Sequence, residues 1–136
     1  MEFFDFISEQ WVLVSLFMAL IYLFAINERA KTGKTISPHV VTRMMNMDEA
    51  ILLDVRDAKD FNAGHIAGAI NIPNSKLNDR VSELEQHRSK AIIIADKLGQ
   101  QSSGIGRKLQ QQNFSILRLG GGMMEWKNQS LPVIKA

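Results

Sequence analysis

Residues 91–102 read Ala91-Ile92-Ile93-Ile94-Ala95-Asp96-Lys97-Leu98-Gly99-Gln100-Gln101-Ser102. The first five are apolar without a break, the pattern of a short strand buried on both faces. It is the most apolar strand of the chain, so it belongs at the centre of a sheet. Lys97–Gln101 is a polar, glycine-containing loop. From Ser102 to about Gln112 a helix turns Ile105 and Leu109 inward. Strand, loop and helix therefore meet at Asp96.

Working outward, Ile51-Leu52-Leu53-Asp54-Val55 is a second buried strand, and Ala69-Ile70-Asn71-Ile72 a third, ended by Pro73. Phe114–Leu119 alternates as a fourth. Ser37-Pro38 is an N-cap followed by proline at the first helical position, and the helix places Val41, Met44 and Met45 on one face as core filler. Ser75 is placed to cap a helix with Leu77, Val81 and Leu84 at i, i+4 and i+7. Gly120-Gly121-Gly122 is a turn, and Met123–Asn128 a last short helix containing Trp126. Strands alternating with helices predict an α/β domain with a mainly parallel sheet. There is no internal repeat.

The 136-residue chain is split in charge. Glu2, Asp5, Glu9 and Glu28 are the only charges in residues 1–28, while all 16 bases and the other ten of the 14 acids follow, leaving that portion at +6. Between Glu9 and Glu28 the 18 positions are uncharged, and as a helix they span roughly 27 Å, against roughly 30 Å for a bilayer core. Trp11 stands where an interfacial ring belongs. Acids before the run and Asn27-Glu28-Arg29-Ala30-Lys31 after it do not fit a cleaved signal peptide. Arg29, Lys31 and Lys34 behind the run place that side in the cytoplasm. The expected organisation is a short non-cytoplasmic N-terminus (1–9), a transmembrane helix contacting the lipid bilayer (10–27), a polar tether (28–35) and one folded domain (36–136).

Asp54-Val55-Arg56, Asp60-Phe61 and Gly64-His65-Ile66-Ala67-Gly68-Ala69-Ile70-Asn71-Ile72-Pro73 resemble the first motif of rhodanese-homology domains. Gly121-Gly122-Met123-Met124-Glu125-Trp126, with Leu131-Pro132-Val133 behind it, resembles the second. The resemblance runs from about Ile36 to Ile134. It implies a rhodanese-like five-stranded parallel sheet with helices on both faces, here preceded by one transmembrane helix. It also implies a single-pass protein of a bacterial inner membrane. Physically, Asp54 and Arg56 can form a charge-assisted pair that ties neighbouring loops. Gly64 and Gly68 permit tight turns around His65, a structural histidine, and Trp126 is a core anchor whose indole N–H meets a backbone carbonyl.

In active rhodaneses a cysteine follows the central strand, and loop amides at a helix N-terminus stabilise its thiolate and persulfide. The resemblance places that nucleophile at Asp96, with Lys97, Leu98, Gly99, Gln100 and Gln101 as the loop and Ser102 at the helix start. The chain contains no cysteine, and a carboxylate cannot carry a sulfane sulfur. The cation usual at the Gln101 position is missing, and the cysteine-five-arginine pattern of related phosphatases fails at Asp96 and at Ser102. A carboxylate beside converging N–H donors would instead fill the cradle itself and repel thiosulfate or phosphate. Aspartate is also what the non-catalytic repeat of tandem rhodaneses tends to carry.

The absence of cysteine further excludes disulfides and thiolate metal sites. Gly33-Lys34-Thr35 lacks the glycine of a phosphate-binding loop five residues earlier, and Gly104-Ile105-Gly106 lacks a third glycine. His39, His65 and His87 show no metal-ligand spacing, no cofactor is implied, and the basic excess at the membrane edge suits anionic lipid rather than nucleic acid. The reading favoured is a membrane-anchored, catalytically inactive rhodanese-like domain that binds membrane or cytosolic proteins. Two enzymatic alternatives are a sulfur-relay component or sulfurtransferase using a partner's cysteine, and an enzyme whose nucleophile is Ser102 or Ser103.

Overall fold

The computed structural model describes residues 2–135, which form two compact units, one ending at Ala30 and the other beginning at Lys31. The first is the body of one helix, α1 (Glu2–Thr32). Within Glu2–Asn27 it is long and apolar enough to cross a membrane. Large apolar side chains are exposed all round it, including Trp11, Leu16, Phe17, Leu20 and Phe24. An amphipathic helix would keep such residues to one stripe. The side chains of Arg29 and Lys31, on which the expected orientation rests, lie outside the described residues.

The second unit runs β1 (Lys34–Ile36), α2 (Pro38–Asn46), β2 (Ala50–Asp54), α3 (Ala58–Ala63) and β3 (Ile70–Asn71). Then come a 3₁₀ turn (Asn74–Lys76), α4 (Leu77–Arg80), a second 3₁₀ segment (Val81–His87), β4 (Ala91–Ala95), α5 (Ser102–Gln111), β5 (Ile116–Leu119) and α6 (Gly122–Asn128). The sheet is five-stranded, in the order β1-β5-β4-β2-β3, and every pairing is parallel. β4 is central, as its composition requires.

Both faces of β4 are covered, which is why it carries no polar position. Ile92 and Ile94 pack with Leu53, Ile105, Leu109, Phe114 and Ile116 on the α5 face. Ile93 and Ala95 pack with Val41, Leu52, Leu119, Met123 and Trp126 on the α2 and α6 face. Alternate residues of a strand point to opposite faces, and burying each isoleucine contributes about 1.5–3 kcal/mol.

The structure departs from the sequence reading at the tether. Lys34-Thr35-Ile36 is not free chain but an edge strand pairing with Leu117-Arg118-Leu119, and α1 reaches Thr32. Three residues of mixed polarity carry too little pattern to announce a strand, and the cross-sheet pairing makes it one. Helix α3 is likewise too short to show a period. Ser37 holds the N-cap position with extended backbone, yet its hydroxyl makes no capping hydrogen bond. Ser75 caps nothing and lies inside the first 3₁₀ turn. Leu77 and Leu84 are nevertheless buried as their spacing predicts.

Candidate functional site

In a parallel sheet all strands end at one edge. Successive connections move outward in opposite directions from β2 and β4, since β2 leads to β3 and β4 leads to β5. The crevice between the ends of two such strands is the usual ligand position of an open α/β sheet. The residues leaving β2 are Val55 and Arg56, those leaving β4 are Asp96 and Lys97, and those leaving β5 are Gly120–Gly122.

Asp96 is 1 % exposed. Its Oδ1 accepts the Gly99 N–H at 2.7 Å, and its Oδ2 accepts those of Gln101 at 2.7 Å and Ser102 at 3.0 Å. Three loop amides, the last at the start of α5, thus converge on one carboxylate. Hydrogen bonds to an ionised acceptor are shorter and stronger than neutral ones, and the helix N-terminus adds a favourable dipole. Of the expected site residues, Asp96, Gly99, Gln101 and Ser102 share this arrangement, while the side chains of Lys97, Leu98 and Gln100 are exposed. The Ser102 hydroxyl donates to the Gly99 carbonyl at 3.3 Å and Ser103 to that of Gln100 at 3.4 Å. Each serine is therefore tied to the loop backbone.

The back of the loop rests on the glycine turn. The Asp96 carbonyl accepts the Met123 N–H at 2.7 Å and the Lys97 carbonyl that of Met124 at 3.0 Å. Gly122 has φ +62°, and a Cβ there would lie 2.6 Å from the Asp96 carbonyl oxygen and 2.8 Å from the Gly99 nitrogen. Only glycine allows this approach. The sequence marks the triplet as a turn, but nothing local shows that it closes on a loop more than twenty residues away.

The first motif is a structural tie, as its residues imply. Asp54 is fully buried and receives Arg56 through its backbone N–H at 3.0 Å, Nε at 3.0 Å and Nη2 at 2.8 Å. Nη2 also donates to the Gly64 carbonyl at 2.8 Å. His65 meets the Phe61 carbonyl through Nδ1 at 2.8 Å and stacks on the Phe61 ring. Its backbone exchanges hydrogen bonds with Ile134. Trp126 donates from Nε1 to the Pro132 carbonyl at 3.0 Å. Gly68 takes a positive φ of +83°. Gly64 is extended backbone, with φ 164°, and its lack of a side chain makes room for Val133.

Sequence reasoning missed a cavity of about 290 Å³ beside the loop, lined by Arg56, Asp60, Lys97, Met123, Met124 and Lys127 among others. It joins the ends of β2 and β4 to α3 and α6, elements brought together only by the fold. Among the described residues no group of three or more His, Asp or Glu could hold a metal ion.

This architecture, an open parallel sheet with an amide-lined strand–loop–helix cradle at its switch point, defines a class of α/β domains built to hold one anionic group. The chain belongs to the rhodanese-like domain family, whose match spans residues 37–129. It is 34% identical to the uncharacterized protein YibN of Escherichia coli (strain K12) over 104 residues, covering 75% of this chain and 73% of that one. Among solved structures, a rhodanese-related protein from Thermoplasma volcanium superposes with a TM-score of 0.65 at 29% identity, over 74% of this chain and 97% of that one. A thiosulfate sulfurtransferase from Pseudomonas aeruginosa shares the fold, with a TM-score of 0.63 at 21% identity over 76% of this chain and 20% of that one.

Proposed function

We propose that this protein is a catalytically inactive rhodanese-like domain, anchored in the inner membrane by residues 10–27, that serves as a protein-binding or regulatory module on the cytoplasmic side. One observation carries the reading: the Asp96 carboxylate occupies the amide cradle where sulfur chemistry needs a thiolate. Sulfur transfer in this family passes through a cysteine sulfur, and this chain has none. The cradle also cannot serve a partner's persulfide or a free anion, because its three donors are taken and a fixed negative charge sits in their midst.

What remains is a folded domain whose loop amides converge on Asp96, with an apolar helix to hold it near the membrane. Confinement to two dimensions raises its effective concentration toward membrane partners. A thiosulfate:cyanide assay on the full chain tests the enzymatic side, and no turnover above buffer is expected. Turnover abolished by Asp96→Ala would overturn the reading. Topology is tested by reporters fused after Ala136, where a cytoplasmic reporter should be active and alkaline phosphatase inactive; the converse would reject the orientation.

A further inference from the structure

The cavity beside the loop is chemically distinct from the filled cradle. Arg56 lines it and is 7% exposed. Its Nε and Nη2 are committed to Asp54 and the Gly64 carbonyl, whereas Nη1 has no partner among the described residues. Asp54 offsets the charge of Arg56, so the guanidinium supplies a fixed donor open to the cavity side rather than net charge. The net charge comes from Lys97 and Lys127, exposed ammonium groups with no ion-pair partner among the described residues, against the single carboxylate of Asp60. The rest of the wall is Ala63, Asn128 and two thioethers, from buried Met123 and from Met124, which is 51% exposed. Leu98, next to Lys97, is a further exposed apolar side chain.

We propose that this cavity receives an acidic side chain from an extended partner segment of alternating acidic and apolar residues, whose apolar neighbours rest on Met124. This rests on the protein-binding reading above and names its chemistry. A carboxylate is the matching group because it can accept from Nη1 while Lys97 and Lys127 neutralise it. The thioether wall adapts to apolar side chains of differing shape. A flat basic face would suit lipid headgroups equally well; a concave site with a fixed donor and an acid of its own, Asp60, favours a shaped ligand.

The test uses the full chain in phosphatidylcholine nanodiscs and a fluorescent, terminally blocked peptide of alternating glutamate and leucine. The same peptide with glutamine for glutamate is the control. The glutamate peptide should bind more tightly, and Lys97→Glu with Lys127→Glu should weaken it about tenfold or more. Lys76→Glu with Lys108→Glu makes the same charge change away from the cavity and should alter binding less than about twofold. All four lysines are exposed, so the fold should survive. Equal weakening by both pairs, or equal binding of both peptides, would overturn the proposal. So would displacement of the peptide by soluble glycerophosphoglycerol in the phosphatidylcholine discs, at a concentration where equal ionic strength of sodium chloride leaves it bound, which would assign the cavity to headgroups. A photo-crosslinking residue at Met124, compared with one at exposed Ser82, separates this inference from the reading beneath it. Membrane-protein adducts at Met124 that Lys97→Glu with Lys127→Glu removes would support it. Adducts from Ser82 alone would overturn the cavity while leaving a protein-binding module, and adducts from neither would overturn both.

Discussion

Replacing Asp96 with alanine removes one carboxylate and leaves three backbone N–H groups facing an empty cradle. The Ser102 amide is on a buried residue, the Gly99 amide on a half-buried one, and the Gln101 amide on an exposed one. A hydrogen bond to a charged acceptor is worth roughly 1.5–3 kcal/mol when its loss leaves a buried donor unpaired, and much less where water can replace it. Taking about 2 kcal/mol for Ser102 and about 0.5 kcal/mol for each of the others gives a destabilisation of about 3 kcal/mol. For a domain of this size that lowers Tm by about 10–15 °C. Asp96→Asn keeps one acceptor oxygen and should fall roughly midway. The assay is urea unfolding followed by circular dichroism, with hydrogen exchange at the Gly99, Gln101 and Ser102 amides as the local readout. A destabilisation below about 0.5 kcal/mol, with those amides still protected in Asp96→Ala, would refute the argument that the carboxylate organises the loop.

Four other outcomes follow from the same geometry. Gly122→Ala forces a Cβ against the Asp96 carbonyl at a positive φ, and should cost about 2–4 kcal/mol and deprotect the Gly99 amide in exchange experiments. Asp96→Cys should carry a thiol titrating below the ordinary value of about 8.5, read from the pH dependence of alkylation; an ordinary value would mean that the loop does not hold its amides ready for an anion. A fragment of residues 31–136 should unfold cooperatively, while one of 37–136, lacking the β1 strand that pairs with β5, should unfold at lower urea. The Arg80 and Arg88 side chains hydrogen-bond Glu83 and Glu85 and hold both carboxyls below their usual value. The stability they contribute is therefore complete above the ordinary carboxylate range and lost as pH falls through the lowered values, so Glu83→Gln with Glu85→Gln should flatten the acid limb of Tm against pH, weakly and less so at high salt.

How much of this was legible depends on whether the determining contacts are local. β4 declared itself because both of its faces are buried, so its whole sequence had to be apolar. Asp96 stood out because it follows that strand directly, and its partners Gly99, Gln101 and Ser102 lie within six residues. β1 did not declare itself: only Ile36 of its three residues is even half-buried, and its partner strand lies some eighty residues further on. The charged cavity was hidden for the same reason. Arg56, Lys97 and Lys127 come from three separate segments, and each alone reads as an ordinary motif residue or a solvated lysine.

The two sides of the loop then divide the chemistry between them. On its inner side the amides and the α5 N-terminus would attract any small anion, and Asp96 satisfies them from within the chain. On its outer side Lys97 leads into the cavity shared with Met124 and Lys127. The Met123 and Met124 amides bind the carbonyls of Asp96 and Lys97, so α6 and the loop form one piece held by the close approach of Gly122. A loop left without its anion would expose unpaired amides and loosen that piece. On the protein-binding proposal, the internal carboxylate would keep the outer surface in a fixed shape without any bound ligand, the preorganisation that recognition requires. Asp96→Ala should accordingly weaken acidic-peptide binding although Asp96 does not line the cavity, and Asp96→Asn should weaken it less. Unchanged peptide affinity in Asp96→Ala, with the domain still folded, would uncouple the cradle from the surface and leave the carboxylate with a purely local role.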